Sequence, residues 1–141
     1  MSTLTESPLK RPRREFRNIH VTQIVAYRLP AAGIVSILHR ISGALLFLLL
    51  PALLWLFELS LTTELTFARF SALMQTWWIK LAMLVVIWGF VHHLVAGVRY
   101  LVLDLHVGID KAPSATSALV VFAVSLVLTG IAALAMFGVF R

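Results

Sequence analysis

The chain contains no cysteine. That excludes disulfides, thiolate metal sites and cysteine-held iron–sulfur clusters within it, and leaves histidine as the obvious side chain for holding a transition metal. Charge is scarce as well, at 13% of residues, and no charge interrupts the run from Ile41 to Phe57. There are no internal repeats and no low-complexity linker, and nothing has the composition of a separate soluble domain. A cleavable signal is not expected either. The first apolar run starts too late and is too long for one, and Glu6 and Glu15 are unusual in a mitochondrial transit peptide.

What is present is apolar: 60% of the 141 residues are hydrophobic and the mean hydropathy is +0.95. So much apolar surface in so short a chain means an integral membrane protein of all-α class. The basic residues gather at the start, where Lys10, Arg11, Arg13, Arg14, Arg17 and Arg28 all precede Gly33. The net charge of +6 is therefore a topology signal and not a nucleic-acid-binding face.

The charge pattern divides the chain into a basic cytoplasmic tail with an interfacial segment, residues 1–31, and a transmembrane domain, residues 32–141. Three spans are expected at about 32–59, 70–105 and 113–140. Pro30 breaks the helix preceding the first span, and Pro51 is expected to kink it. Residues from Ser60 to about Arg69 read as a short loop. Trp77 and Trp78 suit the interfacial aromatic belt at the start of the second span, with Lys80 snorkelling back. Pro113, in a first turn, opens the third. The basic tail puts the amino terminus on the cytoplasmic side and the carboxyl terminus outside.

Polar groups within the spans need a reason, because each costs several kcal/mol in hydrocarbon unless it is paired or faces a cavity. The stretch Gly89 to Asp104 holds His92, His93 and Arg99 among apolar residues. Gly89, His93 and Gly97 recur every four residues on one helical face, so His93 is expected at the centre of a shallow groove. A flat ligand such as a porphyrin fits such a groove, with His93 offering a neutral ring nitrogen to iron. His92 points about 100° away and is assigned to packing, a partner contact or an interfacial hydrogen bond, and kept as the alternative ligand.

Ser36, His39 and Arg40 cluster on neighbouring parts of one face in the first span. Arg40 lies ten residues after Pro30 and His93 eleven before Asp104, which sets both roughly 15 Å inside the same end. At a shared depth, His39 and Arg40 can reach the acidic edge of a porphyrin held by His93. Ser36, a turn nearer the end, is placed to hydrogen-bond a quinone carbonyl.

Two motifs carry a resemblance. Tyr27-Arg28-Leu29-Pro30 followed by Ser36-Ile37-Leu38-His39-Arg40-Ile41-Ser42-Gly43, and later His93-Leu-Val-Ala-Gly97-Val-Arg99 with Asp104, resemble the succinate dehydrogenase cytochrome b subunit, the large membrane anchor of respiratory complex II. The resemblance implies a subunit of a tricarboxylic-acid-cycle enzyme in the bacterial inner membrane, not catalytic alone. Its partners would be flavoprotein and iron–sulfur subunits, a small hydrophobic anchor that completes the helical bundle, and the lipid bilayer. It implies haem b, shared with the small anchor, with His93 as one axial ligand and His39 and Arg40 near the propionates. Ubiquinone would be the substrate, bound at Ser36 and Arg40. Many relatives have histidine after the arginine of the second motif, where this chain has Tyr100. The alternatives are the anchor of a fumarate reductase, running the reverse direction, and a non-redox scaffold or transport subunit in which His93 and Arg99 serve packing or proton relay.

Overall fold

The structure, a computed structural model, describes Thr22 and residues 29–138. The basic tail and interfacial segment lie almost wholly outside the described residues, as do the last residues of the third span and Arg141. Among the described residues there are four helices and no strand: α1 (Ala31–Leu61), α2 (Glu64–Gln75), α3 (Trp77–Asp104) and α4 (Lys111–Met136). Three of them, α1, α3 and α4, are long and apolar enough to cross a membrane. The chain is a multi-pass membrane protein.

Helix α1 starts directly after Pro30, whose extended backbone ends the preceding segment, and runs unbroken through Pro51. Its 31 residues reach about 46 Å, longer than the hydrocarbon core, so it is tilted or projects from the bilayer. Helix α4 begins at Lys111 with Pro113 in its first turn, where a missing N–H costs nothing. The tight connection between α3 and α4 uses left-handed backbone at His106 (φ 61°) and Gly108 (φ 71°). His106 there terminates α3 in the position that ends many helices.

One boundary differs from the sequence reading. The stretch expected as a loop to Arg69 and as span from Phe70 is a separate helix, α2, and the span begins only at Trp77. Thr63 starts α2 with a capping box: its side chain accepts from the Thr66 backbone and the Thr66 hydroxyl accepts from the Thr63 N–H at 2.9 Å. Thr76 ends it, its backbone extended (ψ 124°) and its hydroxyl donating back to the Ala72 carbonyl at 3.3 Å. The break keeps Glu64 and Arg69 out of the span and sets exposed Trp77 and Trp78 at its start. Lys80 then ties the start of α3 to the ends of α2 and α4, its Nζ donating to Gln75 Oε1 and to the Met136 carbonyl, both at 3.3 Å.

Helix α3 is the centre of the bundle, packing on both α1 and α4, while α2 lies against α1 and α3. The core is small and made of small residues, Val35, Ala96, Ala118 and Val121. Small residues let membrane helices approach closely, and lipid supplies no hydrophobic drive for anything larger. Beside them four polar groups are buried: Ser42, His92, Arg99 and Ser125. Ser125 is satisfied within its own helix by the carbonyls of Val121 and Phe122.

Candidate functional site

The two motifs meet where α1 crosses α3. The rings of His39 and His93 stack with centroids 4.1 Å apart and planes 7° from parallel. The sequence reading sets Arg40 and His93 at a shared depth; the residue in direct contact with His93 is Arg40's neighbour, His39. His93 Nδ1 lies 3.0 Å from the His39 backbone carbonyl, and because that acceptor is a carbonyl, Nδ1 carries the hydrogen. Ser42 joins the same carbonyl, its hydroxyl donating at 3.0 Å while its oxygen sits 3.4 Å from His93 Nδ1. The other ring nitrogen of His93, Nε2, makes no hydrogen bond among the described residues and is not sealed inside the chain.

This arrangement fixes one tautomer. With the hydrogen on Nδ1, the lone pair of Nε2 is available in the ring plane and directed away from the carbonyl that holds the ring, the state of a histidine ready to bind a metal. His39 cannot join it on one metal. Lone pairs of two stacked, near-parallel imidazoles lie in planes that do not meet within reach of a metal–nitrogen bond.

The glycine groove expected around His93 is not built as the sequence suggested. Gly89 receives the Ser42 side chain, whose Cβ lies 4.0 Å from where its own Cβ would stand, and Gly97 receives His39, with Nε2 at 3.6 Å. Helix α1 fills the stripe, because glycines on one helix invite the close approach of another. The glycine that makes room for the His93 ring is Gly43 of α1. A Cβ there would stand 2.7 Å from His93 Cε1 and 3.2 Å from Nδ1.

Ser36, His39, Arg40 and Gly43 share one face of α1. Gly43 and His39 meet His93, and the stripe continues through Arg40 to Ser36 towards the helix start. Arg40 is exposed and Ser36 half-buried, and neither side chain has a hydrogen-bond or ionic partner among the described residues. A free guanidinium and a free hydroxyl one turn apart can bind a ligand carrying oxygen acceptors.

The other polar groups point elsewhere. His92 is fully buried between Trp88 (centroids 5.2 Å apart) and Phe122 (5.7 Å). It lies near the Val35 carbonyl, but without hydrogen-bond geometry, so both its ring nitrogens are unpaired among the described residues. Packing is the part of its expected roles that fits, since nothing outside the chain can reach a ring so enclosed. Tyr100 rests against His39 (5.1 Å) with its hydroxyl buried and unpaired among the described residues. Arg99 turns to the other side of α3 and binds α4 through Ser114 and Ser117.

Ser42 and Gly43 are the functional neighbours that motif reading did not weigh individually. The signal was there in the spacing, since Gly43 follows His39 by four residues on the same face.

Comparison with known proteins agrees with this arrangement of motifs. Residues 14–132 match the family model described as the succinate dehydrogenase/fumarate reductase transmembrane subunit. A succinate dehydrogenase cytochrome b556 subunit of Coxiella burnetii (strain RSA 493 / Nine Mile phase I) is 33% identical over 105 residues, 74% of this chain and 84% of the relative. A succinate dehydrogenase cytochrome b556 subunit of Paracoccus denitrificans is 31% identical over 102 residues, 72% of this chain and 78% of that protein.

Proposed function

The chain belongs to the succinate dehydrogenase/fumarate reductase transmembrane subunit family, and we propose that it is the membrane-anchor cytochrome b subunit of a succinate:ubiquinone oxidoreductase. In this reading it binds haem b through His93 and ubiquinone through Ser36 and Arg40, and takes electrons from an iron–sulfur subunit. It works with flavoprotein and iron–sulfur subunits and a small hydrophobic anchor in the inner membrane, its amino terminus cytoplasmic. The succinate-oxidising direction is favoured over fumarate reduction by the names of the relatives.

The observation that carries the reading is the state of His93: Nδ1–H held by the His39 carbonyl and Nε2 left without a partner. A structural histidine between helices uses its nitrogens to join them. This one uses one and presents the other. Haem, when bound, would supply one-electron transfer; His93 would offer its Nε2 to the iron, and His39 and Arg40 would pair with the propionates. Because His39 stacks on His93, His39 would not share its metal, and the chain would supply one nitrogen to the haem iron.

At the quinone, Ser36 orients the ring by donating to one carbonyl. Arg40 places a fixed cation where negative charge develops as the quinone is reduced, and a preorganised charge in a site of low dielectric favours that development without reorganising. The chain itself oxidises no succinate. Arg99 is held by two serines of α4 on another face of α3 and does not meet His93, so the scaffold alternative, in which the two residues act together, has no contact between them behind it.

The test is a reduced-minus-oxidised absorption spectrum of the purified complex, wild type against His93→Ala. A b-type signal that disappears in the variant while the subunits stay assembled is expected. A wild-type complex without haem would put the scaffold reading ahead.

A further inference from the structure

Arg99 is an ionised group 8% exposed, set in a helix that crosses the bilayer. Its three hydrogen bonds all go to neutral oxygens: Nε to Ser117 Oγ at 2.9 Å, and Nη2 to the Ser114 carbonyl and hydroxyl, each at 3.1 Å. No carboxylate pairs with it among the described residues, and its remaining amino group, Nη1, has no acceptor there. The Tyr100 ring, whose centroid lies 5.4 Å from the guanidinium carbon, adds a cation–π contact, but neither it nor these neutral dipoles carries a neutralising charge, and an unneutralised charge in this environment is costly. Asp104 and Asp110, the nearest acids in sequence, are exposed and do not pair with it.

The same arginine lines a cleft of about 770 Å³ between α3 and α4, closed at one end by the connecting turn. Apart from Arg99, Thr116 and Ser117 its walls are apolar, with Val98, Val102, Val107, Pro113 and Val120 among them. Val98, Val102 and Val120 are exposed along its edges. The cleft lies on the face of α3 opposite His93, so it is not part of the site described above.

We propose that the α3–α4 cleft binds an anionic phospholipid, its phosphate paired with Arg99 and an acyl chain lying along the valines. Arg99 is five residues before the end of α3, roughly 7.5 Å below it, which is the depth at which headgroups meet acyl chains. A partner helix could fill the groove with apolar side chains, but it would have to carry its own carboxylate into the membrane to meet the guanidinium, whereas a lipid brings its anion to that depth as part of its structure. Basic pockets between membrane helices are a recurring place for anionic headgroups.

The complex carrying the full chain is reconstituted into nanodiscs of phosphatidylcholine with a minor share of phosphatidylglycerol, and retained lipid is counted by native mass spectrometry. One phosphatidylglycerol per chain is expected, with a preference of roughly five-fold over phosphatidylcholine, the ratio given by about 1 kcal/mol for one basic side chain near the membrane surface. Arg99→Lys should keep the preference and Arg99→Gln should bring it to parity. Val102→Trp, which fills the cleft without touching the charge, should lose the retained lipid of either class while helicity is unchanged. Equal retention in wild type and Arg99→Gln overturns the proposal. If Arg99→Gln does not assemble, undiminished retention in Val102→Trp overturns it as well. Inorganic phosphate displacing phosphatidylglycerol equally from wild type and Val102→Trp would reveal a headgroup-only anion site and refute the cleft's part. A disulfide or crosslink from Val98→Cys to another subunit in good yield would show the groove to be a protein interface.

Discussion

Gly43→Ala is the substitution that tests the His93 site most directly, because it adds one methyl group at a point where the structure leaves no space. The new Cβ stands 2.7 Å from His93 Cε1, and bringing it out to an ordinary contact of 3.4 Å moves the ring by roughly 0.7 Å. The ring is not a loose side-chain end that can give way. It is held by its 3.0 Å bond to the His39 carbonyl and stacked 4.1 Å from the His39 ring, so the displacement is transmitted to both. Overpacking of this kind costs about 1–3 kcal/mol, and losing the His93–carbonyl bond adds about 1 kcal/mol. Together these lower the melting temperature by roughly 10 °C for a chain of this length. In the proposed function the same shift turns Nε2 away from the iron, so the haem signal per assembled complex falls with it. The measurements are circular-dichroism melting of the detergent-solubilised complex and its reduced-minus-oxidised spectrum. The matched control is Gly130→Ala on α4, where nothing lies within 4 Å of the added methyl; it should be neutral or stabilising by up to about 1 kcal/mol. Equal melting temperatures for the two alanine variants, with an unshifted haem spectrum, would refute the packing of His93 against Gly43.

Further substitutions separate the roles of the remaining polar residues. Arg40→Leu removes an exposed, unpaired side chain, so stability should change by less than about 0.5 kcal/mol, while quinone reduction falls by roughly a hundred-fold, the scale of losing one positioned group at a developing anion. Succinate oxidation with an artificial acceptor should persist, and equal loss of both activities would contradict the division of labour. His92→Leu exchanges a buried ring with two unpaired nitrogens for an apolar side chain, so its melting temperature should match or exceed wild type with the haem spectrum intact. Loss of the haem signal in that variant would return His92 to the list of ligands. Lys80→Met breaks two long hydrogen bonds, one from the start of α3 to the end of α2 and one to the end of α4, and about 1 kcal/mol, or 3–4 °C, is expected in thermal melting; no change would mean that Lys80 is held by solvent alone.

Much of the architecture is written in charge and proline. The uncharged middle of α1, Pro30 before it and Pro113 in the first turn of α4 place the spans without reference to any partner helix. Similar distances from the helix ends set Arg40 and His93 at one depth, and the ring beside Arg40, that of His39, touches His93. Helix α2 was harder to see. Its capping box uses Thr66 where an acid is the usual sign, and Thr76, the residue that breaks it from α3, sits in sequence that is apolar enough on both sides to read as one span. The choice of glycine was not legible at all. Gly89 and Gly97 flank His93 on its own helix, but which residue faces an imidazole depends on the register between two helices, and periodicity within one of them does not contain it. The structure puts Ser42 and His39 against those glycines and His93 against Gly43.

The polar groups and the apolar surface of this chain lead to the same requirement. The most apolar window of α1 buries nothing inside the chain, and those of α3 and α4 bury 17% and 11%. Lipid can cover such a surface where it is purely hydrocarbon. It cannot meet the stripe that runs along α1 from Ser36 through Arg40 to the His93 ring, where a hydroxyl, a guanidinium and an imidazole Nε2 all lack partners among the described residues. Each would cost free energy against acyl chains. Among the described residues the chain does not satisfy them by closing on itself: the His39 ring is stacked parallel to His93, and the His92 ring is sealed in the core. In the proposed function that stripe is half of a site: the imidazole would meet the haem iron, the guanidinium anionic groups and the hydroxyl a quinone carbonyl, with a second anchor closing the other side.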